Sequence, residues 1–223
     1  MPNLFDPHID ILPVPQREIW LQLSPAPNLS FVLYGGTAVA LHLGHRISID
    51  FDFFKADPLQ KGEIEASFQF IRNARTIQED KNTLVLNVTM PSGSVKLSFF
   101  GDLALGRIND PLRTNDGVLL VASLDDLLAT KLKAILDRAE AKDYRDIAGL
   151  LRAGASLERA LGAFAKMYRR DPGRPLRAIG FFKDGDLPSL AKPDQDLLRA
   201  ARVRVSDVPD IRLLNGLLPA RGA

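Results

Sequence analysis

The chain has 223 residues, 46% of them hydrophobic and 25% charged, with 29 Lys plus Arg against 27 Asp plus Glu. That composition is ordinary for a globular protein large enough for one big domain or two smaller ones, and a net charge of +2 neither demands nor forbids a nucleic-acid partner. The absence of cysteine excludes disulfides, Cys-ligated zinc and thiol catalysis, and three histidines are too few for a His-rich metal site.

The opening stretch "MPNLFDPHIDILPVPQ" carries early acids and prolines and no uninterrupted apolar core, so no signal peptide is expected. No later run approaches the roughly 20 apolar residues of a membrane span, and the cytoplasm is the expected compartment. Gln16 to Leu23 has apolar residues at helical spacing and stops at "SPAPN". Phe31 to Tyr34 reads as a buried strand ending at Gly35-Gly36. Thr37 to Leu43 fits a short helix closed by Gly44, and Ile47 to Phe54 reads as a second strand. From Phe68 to Phe100 three runs rich in β-branched and aromatic residues, separated by "EDKN" and "PSGS", read as antiparallel strands.

From Ser123 the pattern is helical. "SLDDLLATKLKAILDRA" opens with Ser123 and Asp126, close to a capping box, and carries an apolar stripe through Leu124, Leu127, Leu128, Leu132, Ile135 and Leu136. "KDYRDIAGLLRAG" and "SLERALGAFAKMYRR" follow as further helices, then a tail interrupted by Pro and Gly with pieces such as "DQDLLRAARVRV". The order of elements predicts an α+β chain: a mixed-sheet domain over residues 1–120 and a helical domain over residues 121–223.

Two residues resist this apolar logic. Asp50 and Asp52 lie two apart in the strand "ISIDFDFF", hence on one face with Cα atoms about 6–7 Å apart, while Ile49, Phe51 and Phe53 are expected to face the core. Carboxylates about 4–5 Å apart repel by roughly 3–4 kcal/mol at an effective dielectric near 20. Such a pair persists when a proton is shared or a cation sits between them. Magnesium suits hard oxygen ligands from one or two carboxylates plus substrate phosphates, with manganese as a substitute. Gly35-Gly36 let backbone approach a bulky anion, and the following helix aims its free N–H groups and positive dipole end at it. Solvated acids on an edge strand are the plainer alternative. His42, on an apolar helix, reads as packing, whereas His45 and Arg46, in the turn before the acidic strand, are placed to contact phosphate or acceptor.

The stretch "LYGGTAVALHLGHRISIDFDFF" resembles the signature of the AbiEii/AbiGii toxin family of nucleotidyltransferases, within the DNA polymerase β-like superfamily. "SLDDLLATKLKAILDRAEAKDYRDIAGLL" resembles the family's second block. The resemblance covers roughly Gln16 to Leu151 and implies a nucleotidyltransferase-type mixed-sheet domain with flanking helices, followed by a helical domain. It implies that Gly35, Gly36 and Thr37 hold the triphosphate, that Asp50 and Asp52 bind Mg2+, that Lys131 contacts phosphate, and that Asp143 with Asp146 completes the site. The implied reaction is transfer of a nucleoside monophosphate from an NTP to an acceptor hydroxyl. The implied acceptor is tRNA and the implied partner an antitoxin from an adjacent gene, as in toxin–antitoxin and abortive-infection systems.

The residues leave alternatives open. Lys131 fits a snorkelling surface lysine, and Asp143 with Asp146 fits a surface salt-bridge set with Lys142 and Arg145. A third carboxylate, usual on a later strand of such enzymes, is missing from "SVKLSFFGD": Ser98 holds the corresponding place, and Asp102 lies just beyond. That departure also suits a catalytically weakened nucleotide-binding protein. A transferase acting on a protein or small-molecule acceptor is a further alternative.

Overall fold

Two runs of β-branched and aromatic residues, Thr83–Met90 and Gly93–Phe100, form the longest strands, and the sheet is built outward from them. The computed structural model describes residues 3–218. In chain order the elements are β1 (Leu4–Phe5), α1 (Val14–Ile19), β2 (Val32–Tyr34), α2 (Gly35–Leu43), β3 (Asp50–Phe54), α3 (Lys61–Ser67), β4 (Arg75–Asp80), β5 (Thr83–Met90), β6 (Gly93–Phe100), β7 (Leu112–Thr114) and β8 (Leu120–Val121). Helices α4 (Leu124–Asp137), α5 (Ala141–Arg152), α6 (Leu157–Tyr168), α7 (Gly173–Ala178) and α8 (Lys192–Arg204) follow. Among the described residues the strands make one eight-stranded sheet in the order β1-β7-β8-β2-β3-β6-β5-β4. It is mixed: β3 runs antiparallel to β2 and parallel to β6, while β4, β5 and β6 form an antiparallel meander. This is the α+β order, sheet with flanking helices and then helices, that the sequence pattern predicts.

The alternation in β3 sets its two faces. Phe51 and Phe53 are fully buried, and Phe53 stacks on Phe99 of β6 at 5.3 Å between ring centres. Phe31 and Phe68 close on Phe99 at 5.2 and 5.6 Å. Each buried aromatic of this cluster contributes roughly 1.5–3 kcal/mol through the apolar area it hides.

Three expectations shift. Ile49 is 63% exposed rather than in the core, because paired strand begins only at Asp50 and alternation holds only where backbone is extended and paired. The aromatic run at 68–71 is a 3-10 turn, with Phe68 and Ile71 buried three residues apart, and the strand starts at Arg75. Residues 16–23 split into α1 and a 3-10 turn at Trp20–Leu23, which buries Ile19, Trp20 and Leu23. The indole N–H of Trp20 donates to Asp116 Oδ2 at 2.7 Å.

The chain divides into two compact units. The first holds the described residues up to Leu105, Asp110–Ser123 and those from Asn215; the second holds Gly106–Asn109 and Leu124–Leu214. A single cut at 120/121 does not contain the two exchanges of chain at 106–109 and 215. Within the second unit, the Asp126 carboxylate accepts the main-chain N–H groups of Ile108 and Asn109 at 2.6 and 3.2 Å, fixing that short segment to α4. Leu127, Leu128, Leu132 and Ile135 of α4 are buried, as are Leu161 and Phe164 of α6, whose first turn is capped by Ser156 Oγ accepting from Arg159 N–H. No described helix is long and apolar enough to cross a membrane.

Candidate functional site

In the first unit, β2 passes into α2 with no intervening loop, which Gly35 permits by taking φ +76°. A Cβ placed on Gly35 would stand 2.3 Å from Asp52 Oδ2, so the Asp52 carboxylate occupies the space beside the bare α-carbon. A Cβ on Gly36 would stand 2.6 Å from Arg46 Nη2 and 2.9 Å from Ser48 Oγ. The glycine turn therefore has a carboxylate on one side and a guanidinium with a hydroxyl on the other. The N–H groups of the first turn of α2 have no acceptor within the helix, and its dipole adds positive potential there. Gly44 closes the helix at φ +60°.

Thr37 is buried and its hydroxyl donates to the main-chain carbonyl of Asp50, tying α2 to the start of β3. Its side chain thus positions the acidic strand rather than offering its hydroxyl to a phosphate. Arg46 Nη1 also donates to the carbonyl of Ile47 at 2.9 Å, which steadies the guanidinium over the turn.

Asp50 and Asp52 share one face of β3 and are both partly exposed, opposite the buried Phe51 and Phe53. The parallel register sets Lys96 of β6 beside Asp50 and Ser98 beside Asp52. Lys96 Nζ lies 2.8 Å from Asp50 Oδ2, with the two side chains 39% and 33% exposed. Ser98 is buried and brings no carboxylate to the pair. Asp102 does not supply one either: it lies beyond the far end of β6, and its Oδ2 accepts from Asn82 on the β4–β5 turn at 2.9 Å.

The donor set suits one divalent cation. Two hard carboxylates on one face, beside a glycine turn, match how Mg2+ is held by one or two carboxylates together with substrate oxygens. Among the described residues no group of three His, Cys, Asp or Glu forms a cage made by protein alone.

His42 lies in the structural part of this unit. Its ring stacks on Phe5 at 4.3 Å and its Nε2 meets the Ala122 carbonyl at 2.9 Å. Burial pushes its pKa down to about 4, only partly opposed by the bond to that carbonyl, so the ring is neutral near pH 7. A cavity of about 610 Å³, lined by Asn28, Ser30, Lys55, Asp57, Glu63 and Leu217 among others, opens in the same unit. Its residues precede β2 and follow β3, so it lies at the sheet end opposite Gly35 and Asp50 and is not the candidate site.

In the second unit, Lys131 is buried at 5% exposure, and its ammonium lies 2.6 Å from Asp143 Oδ1 and 2.7 Å from Asp146 Oδ2. It is no snorkelling surface lysine. Asp143 and Asp146 are fully buried, and neither belongs to a surface set with Lys142, which pairs with Glu140 at 2.6 Å. Arg138 Nε donates to Asp143 Oδ2 at 2.7 Å. Burial alone would raise the Asp143 carboxyl, but the Arg138 hydrogen bond and the charge and hydrogen bond of Lys131 outweigh it and hold the group below its ordinary value. Sequence reasoning missed Ser48 and Lys96; the first was legible as a hydroxyl two residues before Asp50, the second only through strand register.

Comparison with known proteins bears on the family and the fold. The model of the nucleotidyl transferase AbiEii toxin family, type IV toxin–antitoxin system, matches residues 24–212, a span that includes the glycine turn, both strand aspartates and the Lys131 cluster. An uncharacterized protein of Aquifex aeolicus (strain VF5) is 30% identical over 158 residues, covering 69% of this chain and 74% of the relative. Among solved structures, MenT4, a nucleotidyltransferase toxin of Mycobacterium tuberculosis H37Rv, aligns with a TM-score of 0.54 at 15% identity, over 86% of this chain and 82% of its own, a likeness of fold. The antibiotic-resistance factor ANT(2'')-Ia aligns with a TM-score of 0.49 at 13% identity, over 68% of this chain and 90% of its own. The chain is a nucleotidyltransferase and belongs to the AbiEii family of toxins of type IV toxin–antitoxin systems.

Proposed function

We propose that this chain transfers a nucleoside monophosphate from an NTP to an acceptor hydroxyl with release of pyrophosphate, in a reaction that requires Mg2+ or Mn2+. The observation that carries the reading is the packing of Asp52 against Gly35, with Asp50 on the same strand face and Arg46 over Gly36. Asp50 and Asp52 would hold the cation, which when bound neutralises phosphate charge and polarises the phosphorus centre. Gly35, Gly36 and the first turn of α2 receive phosphate oxygens, and Arg46 supplies a fixed positive charge beside them. Thr37 holds the acidic strand against the helix start. Catalysis of this kind is mostly positioning and charge stabilisation.

Lys131, Asp143 and Asp146 are assigned as residues required for transfer. Their mutual pairing supports a role in fixing one another's charge and orientation. The acceptor is tRNA or another RNA, the setting is the cytoplasm, and an antitoxin from an adjacent gene restrains the activity, in abortive infection among other settings. Family membership supports an NTP substrate and an antitoxin partner; the RNA acceptor rests on the resemblance to the family alone.

Pyrophosphate release, measured with each of the four NTPs, Mg2+ and bulk tRNA, tests the reading. Release that depends on tRNA and disappears in Asp52→Asn supports it, and release unchanged in that variant defeats it. One observation favours a second reading, a nucleotide-binding protein with weakened transfer: Ser98, not a carboxylate, stands beside Asp52. NTP binding without release of pyrophosphate from the NTP in the presence of any acceptor, protein and aminoglycoside included, would establish that reading.

A further inference from the structure

We infer that Lys96 is the resident counter-ion of Asp50 and keeps that carboxylate closed to a bare divalent cation, so that the metal enters with the nucleotide's phosphates rather than ahead of them. The inference rests on the proposed site and concerns how that site is loaded. Its basis is register. Lys96 is the direct parallel partner of Asp50, so the two side chains leave neighbouring strands on the same face, about 4.8 Å apart at the backbone. The ammonium completes the approach at 2.8 Å from Oδ2. The next pair on the same face is Asp52 with Ser98, which adds a neutral hydroxyl where a further negative charge would have tipped the balance back toward a cation.

Charge arithmetic gives the consequence. Asp50, Asp52 and Lys96 together carry a net charge of about −1 instead of −2, and Arg46 beside Gly36 lowers the local negative potential further. Magnesium sheds its water reluctantly and needs several anionic oxygens to compensate. A bare ion must displace Lys96 and leaves its ammonium without an anionic partner. An ion that arrives with a triphosphate brings anionic oxygens for the displaced ammonium to pair with. The lysine therefore couples metal binding to nucleotide binding.

The test is Mn2+ binding to the full chain without nucleotide, read by electron paramagnetic resonance of free Mn2+, together with Mn2+ binding in the presence of a non-hydrolysable NTP analogue. Lys96→Met is expected to bind Mn2+ alone roughly tenfold or more tightly than wild type, with Lys96→Arg unchanged. With the analogue present the difference is expected to shrink. Lys96→Met combined with Asp50→Asn is expected to lose the gain. Lys96→Ala gives the same reading should methionine disturb the sheet. Equal Mn2+ binding by Lys96→Met, Lys96→Ala and wild type, tight or absent in all three, overturns the inference. If pyrophosphate release still vanishes in Asp52→Asn, the proposed site survives that failure. A gain that persists with Asp50→Asn overturns the inference and the assignment of Asp50 together.

Discussion

Asp52 and Gly35 are fitted to each other: the carboxylate fills the space that a side chain at position 35 would need, with only 2.3 Å between a Cβ there and Oδ2. Gly35 also holds φ +76°, where L side chains are strained. Gly35→Ala is expected to cost about 1–3 kcal/mol of stability and to lower nucleotidyl transfer by an order of magnitude or more, since the acid must move. Urea melts and pyrophosphate release check both parts; a wild-type rate would detach Asp52 from the turn.

Removing the strand acids separates chemistry from folding. Asp50→Asn and Asp52→Asn are each expected to reduce transfer at least a hundredfold. For Asp50→Asn the stability change is expected within about 1 kcal/mol, because its pair with Lys96 is a third exposed and screened by solvent. Thermal melts alongside the rate assay decide it, and an active, folded Asp50→Asn removes that residue from the site.

Lys131 behaves differently. Lys131→Met removes the ammonium shared by two buried carboxylates, Asp143 and Asp146, and is expected to destabilise the chain by about 3–5 kcal/mol. Adding Asp146→Asn to that variant is expected to restore part of the loss. A denaturant midpoint within error of wild type for Lys131→Met would mean the cluster is not held as described. Any rise in the NTP concentration needed by Lys131→Ala is meaningful only in protein shown to be folded.

Acid should act in two steps. His42 titrates near 6.5 when unfolded and near 4 when folded, so native protein resists a proton that the unfolded chain accepts. Its contribution is complete above pH 6.5 and is lost as pH falls toward 4. Asp143, held below its usual 3.8 by Arg138 and Lys131 despite burial, adds a loss that begins only below that value. Melting temperature against pH is expected to decline from pH 6.5 in wild type and to be flatter between 6.5 and 4 in His42→Gln. Equal slopes in the two proteins would show that the imidazole is not held neutral.

The α+β order, the short helix closed by Gly44 and the shared face of Asp50 and Asp52 were legible in the sequence, because each depends on local periodicity or on a single capping residue. What was not legible depends on pairing between distant segments. The aromatic run at 68–71 matches strand composition, yet tertiary packing wraps it into a turn so that Phe68 reaches Phe99. Ile49 follows the alternation on paper but precedes the first paired residue. Lys96 becomes the neighbour of Asp50 only when β6 docks parallel to β3 in one register. Lys131 on an apolar stripe is ambiguous until Asp143 and Asp146 are placed beside it.

Trp20 is the chain's single tryptophan, and its indole is buried in the sheet-bearing unit with its N–H on Asp116. Its fluorescence is therefore a private reporter of that unit, whereas far-ultraviolet circular dichroism is dominated by the long helices of the other. If the two halves melt as one, both signals share a midpoint; if they melt apart, the emission trace and the ellipticity trace separate. Nature has thus placed one optical label where no engineering is needed to follow the sheet-bearing half of the toxin by itself.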